Sequence, residues 1–294
     1  MSASTSSPGV RSLRLVATCG DRIGIVARVT TFLAGLQASI TEAGQYHDQR
    51  SKTFFMRYVF EAPDTEDTLE TFEAGFAPIA AEFGMQWHVT DTARRPRVVF
   101  LVSKHDHCLA YLLHRWKVGD LKIQIPCVIS NHETLRELVE WYGIPFHHVP
   151  VPKEPLAKQA AFEETAARIE AAGPDTIVLA RYMQIFPPWL CEKYRYKVIN
   201  IHHSFLPSFV GAKPYQQAAE RGVKLTGATC HYVTEELDAG PIIEQDVIRI
   251  NHADSLEDMM RLGKDVENTV LARGLRLHLE DRVLVHGNKT ILFT

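Results

Sequence analysis

The run Arg97-Val-Val-Phe-Leu-Val102 sets the terms for the larger part of this chain. Its apolar residues, most of them β-branched or aromatic, leave no polar face for water, so a strand made of them must be covered on both sides. A central strand of a parallel sheet, with helices on its two faces, meets that condition. The segments that follow alternate accordingly. Residues 109–116 read as a helix, 123–129 as a strand, 134–142 and 157–171 as helices, 176–180 as a strand and 188–194 as a short helix. This alternation predicts a doubly wound, mostly parallel α/β sheet over residues 97–294.

Within that sheet the stretch Val198-Ile-Asn200-Ile-His202 carries two polar side chains on an otherwise apolar strand. Two residues apart, Asn200 and His202 share a face, and the Ser204–Pro207 run ends the strand just beyond them. Ligands of open parallel sheets bind outside the carboxyl ends of the strands, so this pair points into such a crevice. A satisfied structural pair on a strand is the competing reading. Downstream, a second alternating strand containing His231 enters an acidic loop, Glu235-Glu-Leu237-Asp238-Ala-Gly240-Pro.

Taken together, Asn200-x-His202 and Leu237-Asp238-x-Gly240 resemble the motifs of the folate-dependent formyltransferases, which move a formyl group off 10-formyltetrahydrofolate. The resemblance implies Asn200, His202 and Asp238 as catalytic residues. It also implies a folate pocket that draws on Met183, Gln184 and Phe186 after the 176–180 strand, and on Glu235 and Leu237. The chemistry fits these residue types. Attack on the formyl carbon puts charge on its oxygen, which Asn200 and His202 can meet as donors, and Asp238 can serve as general base and acid. His231 either bonds the Asp238 carboxylate or satisfies a neighbouring backbone group. Lys213 belongs either to a loop covering the site or to the ordinary surface.

Residues 11–90 have a different rhythm. Strands and helices in the order βαββαβ, with Leu69, Phe72, Phe76, Ile79 and Phe83 on one helix stripe and Val26, Val29, Thr30 and Leu33 on the other, predict a small ferredoxin-like sheet. The loop Asp21-Arg-Ile-Gly24-Ile25 is similar to that of ACT domains, which implies a possible small amino-acid effector at Asp21, Gly24 and Ile25; a plain turn is the alternative. Paired ACT sheets imply a homo-oligomer, a dimer or tetramer. Residues 1–10 read as a flexible tail and residues 91–96 as a linker closed by Pro96.

An ACT module joined to a formyltransferase domain resembles the arrangement of the formyltetrahydrofolate deformylases. The loop after the first parallel strand, Ser103-Lys-His-Asp-His-Cys108, agrees with that resemblance. It lacks the glycines with which glycinamide ribonucleotide transformylases hold a substrate phosphate. Water is then the expected acceptor, with hydrolysis to formate and tetrahydrofolate supplying one-carbon metabolism and purine biosynthesis. Transfer to an amine, or a catalytically inactive amino-acid-binding regulator, are the alternatives.

A formal charge of −3 over 294 residues gives no reason to expect nucleic acid or an anionic membrane as partner. No apolar run is long enough to span a bilayer, so the expected location is cytoplasmic. The five cysteines are scattered and set in apolar contexts, as suits buried reduced thiols. Fourteen histidines invite a metal hypothesis, but no His-Glu-x-x-His or Cys-x-x-Cys spacing appears, nor a Gly-x-Ser-x-Gly elbow. No metal and no cofactor is expected; folate is the substrate.

Overall fold

The computed structural model describes residues 9–64, 68–208 and 214–294. These fall into two compact units, Met1–Arg94 with Phe293–Thr294, and Arg95–Leu292. Lys213 lies outside the described residues, as do residues 1–8 of the expected tail.

The first unit follows the predicted order: β1 (Val10–Gly20), α1 (Ile25–Gly35), β2 (Ser39–Asp48), β3 (Thr53–Pro63), α2 (Thr68–Phe83) and β4 (Gln86–Asp91). The sheet order is β2-β3-β1-β4 with every neighbour antiparallel. Alternate residues Leu13, Leu15, Ala17 and Cys19 enter one core with Met56, Tyr58 and Phe60 and with both helices, as the two-residue period of a strand requires. Phe72 stacks between Phe60 and Phe76 at centroid distances of 5.1 and 5.5 Å.

Two details differ from the sequence reading. Val10 already pairs with Pro63 as the first residue of β1, so it belongs to the sheet and not to a tail. In α1 the buried stripe is Ile25, Val29 and Leu33; Val26 stays exposed, and the Thr30 hydroxyl donates back to the Val26 carbonyl. The cause is Gly24, whose φ of 94° turns the chain so that the very next side chain enters the core. Ile25 is therefore a packing residue, while Asp21 remains exposed with its carboxylate 3.5 Å from His47 Nε2.

The second unit is built on a seven-stranded sheet. Its elements are β5 (Val98–Val102), α3 (His107–Lys117), β6 (Val128–Ser130), α4 (Arg136–Trp141), β7 (Phe146–His148), α5 (Pro155–Ala172), β8 (Thr176–Leu179), α6 (Pro188–Lys193) and β9 (Val198–His202). They continue through α7 (Pro214–Arg221), β10 (Leu225–Tyr232), β11 (Ile242–Arg249) and α8 (Leu256–Leu279) to a terminal hairpin, β12 (Val283–His286) and β13 (Lys289–Leu292). The strand order is β11-β10-β9-β8-β5-β6-β7. The run β9-β8-β5-β6-β7 is parallel, and β10 and β11 complete the sheet antiparallel.

All of β5 is buried, and its residues split between two cores. Val98, Phe100 and Val102 pack with residues of α3 and α8, whereas Val99 and Leu101 pack with residues of α5 and α6. The predicted two-sided cover is thus present. The strand expected at 123–129 shrinks to Val128–Ser130, because Pro126 has no N–H to give a ladder; earlier residues make one isolated bridge, Arg97 to Gln124. Sharp ends come from local chemistry. Glu154 caps α5 by accepting from the Leu156 and Ala157 N–H groups, and Ser255 with Asp258 forms a capping box on α8. All five cysteines are buried and free. No helix among the described residues is long and apolar enough to cross a membrane.

Candidate active site

Chain order reverses between β5 and β8, where the excursion to β6 and β7 ends and the path continues on the other side. Sheets of this kind bind ligands beside such a reversal, at the carboxyl edge. A crevice of about 240 Å³ opens there, lined by the segment after β8, by β9 and by the loop after β10.

β9 alternates as expected, and its pairing with β10 explains the first polar contact. The antiparallel register sets His231 directly opposite Asn200 and Thr229 opposite His202. Directly paired residues present their side chains on the same face, and Asn200 Nδ2 lies 3.2 Å from His231 Nε2. The other ring nitrogen of His231, Nδ1, donates to the Tyr232 carbonyl at 2.9 Å. Nε2 is then the acceptor, so Asn200 is held by one of its two N–H bonds and keeps the second. Burial lowers the His231 pKa, which agrees with a neutral ring in this tautomer.

The acidic loop brings Asp238 back over this pair. Its φ of 55° lies in the left-handed region, which Asp tolerates better than most residues. The turn closes through Gly240, where an added Cβ would meet the Tyr232 carbonyl oxygen at 1.8 Å; only glycine fits. As a result Asp238 Oδ2 sits 3.3 Å from His202 Nδ1, and Oδ1 sits 3.9 Å from His231 Nε2. The shorter contact is with His202. His231 bonds the backbone and Asn200, and its approach to the carboxylate is longer than a hydrogen bond. His202 Nε2 is buried and makes no hydrogen bond.

The expected folate residues line the same crevice: Met183, Gln184, Phe186, Glu235 and Leu237. Met183 and Ile185 stand exposed at its mouth, while Phe186 turns inward among Phe162 and Tyr182. The Met183 N–H donates to Ser103 Oγ, which donates in turn to Asn131. The glycine-free loop after β5 is therefore tied to the loop after β8.

A second polar group was not assigned from sequence. Glu267, fully buried on α8, accepts a hydrogen bond from Tyr215 Oη at 2.6 Å; its other oxygen lies 2.9 Å from His107 Nε2 and 3.4 Å from Arg181 Nε. Burial alone would raise this carboxyl, but the His107 hydrogen bond and the Arg181 charge hold it down to about 2. Gly263 makes room for the arrangement, since a Cβ there would meet Tyr215 Oη at 2.0 Å. His203 stands between the two groups, its ring 5.5 Å from that of His202 and 5.7 Å from that of Tyr215. Burial and the Arg181 charge push its pKa to about 3.

His107, Cys108 and Glu267 bring donor atoms within 4.8 Å of one another. The Glu267 oxygens are already engaged by Tyr215, His107 and Arg181, and burial keeps the Cys108 thiol protonated. This is the chemistry of an ion-pair cluster, not of a metal ligand set. Arg181, His107 and Tyr215 each lie in stretches that stand out in the sequence, yet a lone Glu in a helix offers no signal that would gather them.

Comparison with known proteins decides the family. Residues 96–275 match the model described as formyl transferase, and residues 14–74 match the ACT domain. Formyltetrahydrofolate deformylase from Bacillus subtilis is 46% identical over 95% of this chain and 93% of its own length. The chain belongs to the formyltetrahydrofolate deformylase family. A crystal structure of a deformylase from Pseudomonas syringae is 58% identical, with a TM-score of 0.93 over 97% of this chain and 95% of that one. A glycinamide ribonucleotide transformylase from Symbiobacterium toebii is 29% identical, with a TM-score of 0.63 over 68% of this chain. Likeness to the deformylases therefore runs through both units, whereas the transformylase matches about two thirds of the chain.

Proposed function

We propose that this chain hydrolyses 10-formyltetrahydrofolate to formate and tetrahydrofolate, and so supplies formate to one-carbon metabolism and purine biosynthesis. The observation that carries the reading is the convergence of Asn200, His202 and Asp238 on one crevice at the carboxyl edge of the sheet, in a chain of the deformylase family.

In this reading the pterin lies against the apolar lining, with backbone groups near Gln184 and Phe186 meeting its edge and Glu235 and Leu237 closing the other side. Asp238 takes a proton from water as the water oxygen bonds the formyl carbon. Charge develops on the formyl oxygen. The second N–H of Asn200 meets it, together with an N–H of His202. The C–N bond then breaks, the folate nitrogen receives through Asp238 the proton taken from water, and formic acid leaves, giving its remaining acidic proton to solvent as formate. His231 is a positioning residue that fixes the Asn200 amide. One oxyanion donor is typically worth about 2.7–4 kcal/mol of barrier, and positioned acid–base catalysis about 10² to 10⁴ in rate.

The reaction needs no cofactor and no metal. The first unit is proposed to form a dimer or tetramer and to take a small amino acid near Asp21 and Gly24. The location proposed is cytoplasmic. Formate release by the purified enzyme without an amine acceptor, compared with Asp238→Asn, tests the central reading. Steady release that the variant lacks supports it. Release that depends on an added amine overturns it in favour of a transferase.

A further inference from the structure

Among the described residues, few buried side-chain nitrogens lack a hydrogen bond, and three of them sit in two residues that line the crevice: Arg181 Nε, Arg181 Nη1 and His202 Nε2. His202 Nε2 has a use in the mechanism proposed above. Arg181 has none. Its side chain is 8% exposed, and its backbone holds a left-handed φ of 64° just past the end of β8. A buried guanidinium without full hydrogen bonding is costly, because each donor taken from water goes unrepaid. A carboxylate beside it, Glu267, approaches Nε at 3.4 Å without forming a hydrogen bond and is already shared with Tyr215 and His107.

The reaction itself supplies an anion at this place. In that reading formate forms beside Asp238, in the crevice that Asp238, His203 and Arg181 all line. A monoanion formed there would be repelled by Asp238 unless a cation met it. We infer that Arg181 is the seat of the formate product: its unpartnered Nη1 group receives the carboxylate once it leaves the formyl carbon. Glu267 anchors the guanidinium from behind and keeps its hold on the anion loose enough for release. A planar carboxylate matches the planar donor set of arginine better than it would match a lysine.

The inference rests on the hydrolase reading, and the test separates the two. Initial rates on 10-formyltetrahydrofolate are measured with added sodium formate or with sodium chloride at equal ionic strength, for the wild type and Arg181→Gln. Formate is expected to inhibit the wild type beyond the chloride control, and its half-inhibiting concentration to rise about tenfold or more in Arg181→Gln, the scale of one charge-assisted hydrogen bond. Equal inhibition by the two salts, or an unchanged half-inhibiting concentration in the variant, overturns the inference. Should Arg181→Gln not fold, line broadening of ¹³C-formate by the wild type with tetrahydrofolate decides: broadening supports the seat and its absence overturns it. If the wild type releases no formate from the substrate at all, the hydrolase reading fails; steady release with no specific formate inhibition sinks this inference alone.

Discussion

The two polar groups that flank the crevice are assembled by different means. Asn200, His202 and His231 are set by the register of two adjacent strands, and Asp238 joins them through one glycine-dependent loop. The Glu267 cluster draws its members from α3, the segment after β8, α7 and α8, which come together only in the complete fold. The first group leaves hydrogen-bonding capacity facing the crevice. In the second, both Glu267 oxygens are engaged within the cluster, while Arg181 keeps unpartnered nitrogens. A site for chemistry and a site for holding the fold together thus stand side by side, and His203 touches both.

Substitutions of Asn200 and Asp238 are expected to change turnover with the fold intact, and those of Glu267 and Tyr215 to change stability. The largest effect is expected for Asp238→Asn, a loss of turnover of about 10² to 10⁴ with the unfolding midpoint kept; a midpoint that falls with the rate would break the comparison. Glu267→Ala should cost about 3–5 kcal/mol, since it strands a buried Arg181, as measured by urea unfolding. Asn200→Ala should lower kcat by about 10²- to 10³-fold, with little change in melting temperature.

Acid sharpens the contrast. Glu267, held down to about 2 from an ordinary 4.5, contributes stability that is present above pH 4.5 and lost as pH falls toward 2. His203, held down to about 3 from 6.5, takes up its proton more readily in the unfolded chain, so it too costs stability as pH falls from 6.5 toward 3. Replacing His203 by Gln should flatten the stability profile between those values, read from unfolding midpoints across pH. The smallest effect belongs to Tyr215→Phe, which removes one hydrogen bond to Glu267 at about 1–3 kcal/mol and is again read by urea unfolding.

What the sequence made legible follows the same line. The two-sided cover of β5, the βαββαβ order of the first unit and the pairing of Asn200 with His202 all rest on patterns a few residues long, where period and polarity determine the outcome. The short strand β7 and the long helix α8 are not marked in that way: β7 is three residues, and α8 mixes charged and apolar residues along its length. In α1 the periodicity finds Val29 and Leu33 but puts Val26 in the place of Ile25, because the two are equally apolar and only the turn at Gly24 chooses between them. Glu267 could not be read at all. Its partners are chosen by tertiary contact, and no local spacing points to them.

The pairing of β10 with β9 ties function to strand register. A slip of one residue would put Cys230 or Tyr232 opposite Asn200 and turn His231 to the other side of the sheet. Asp238, which follows β10 in the chain, would be displaced with it. Turnover would therefore report the alignment of this one strand pair more sensitively than helix content does.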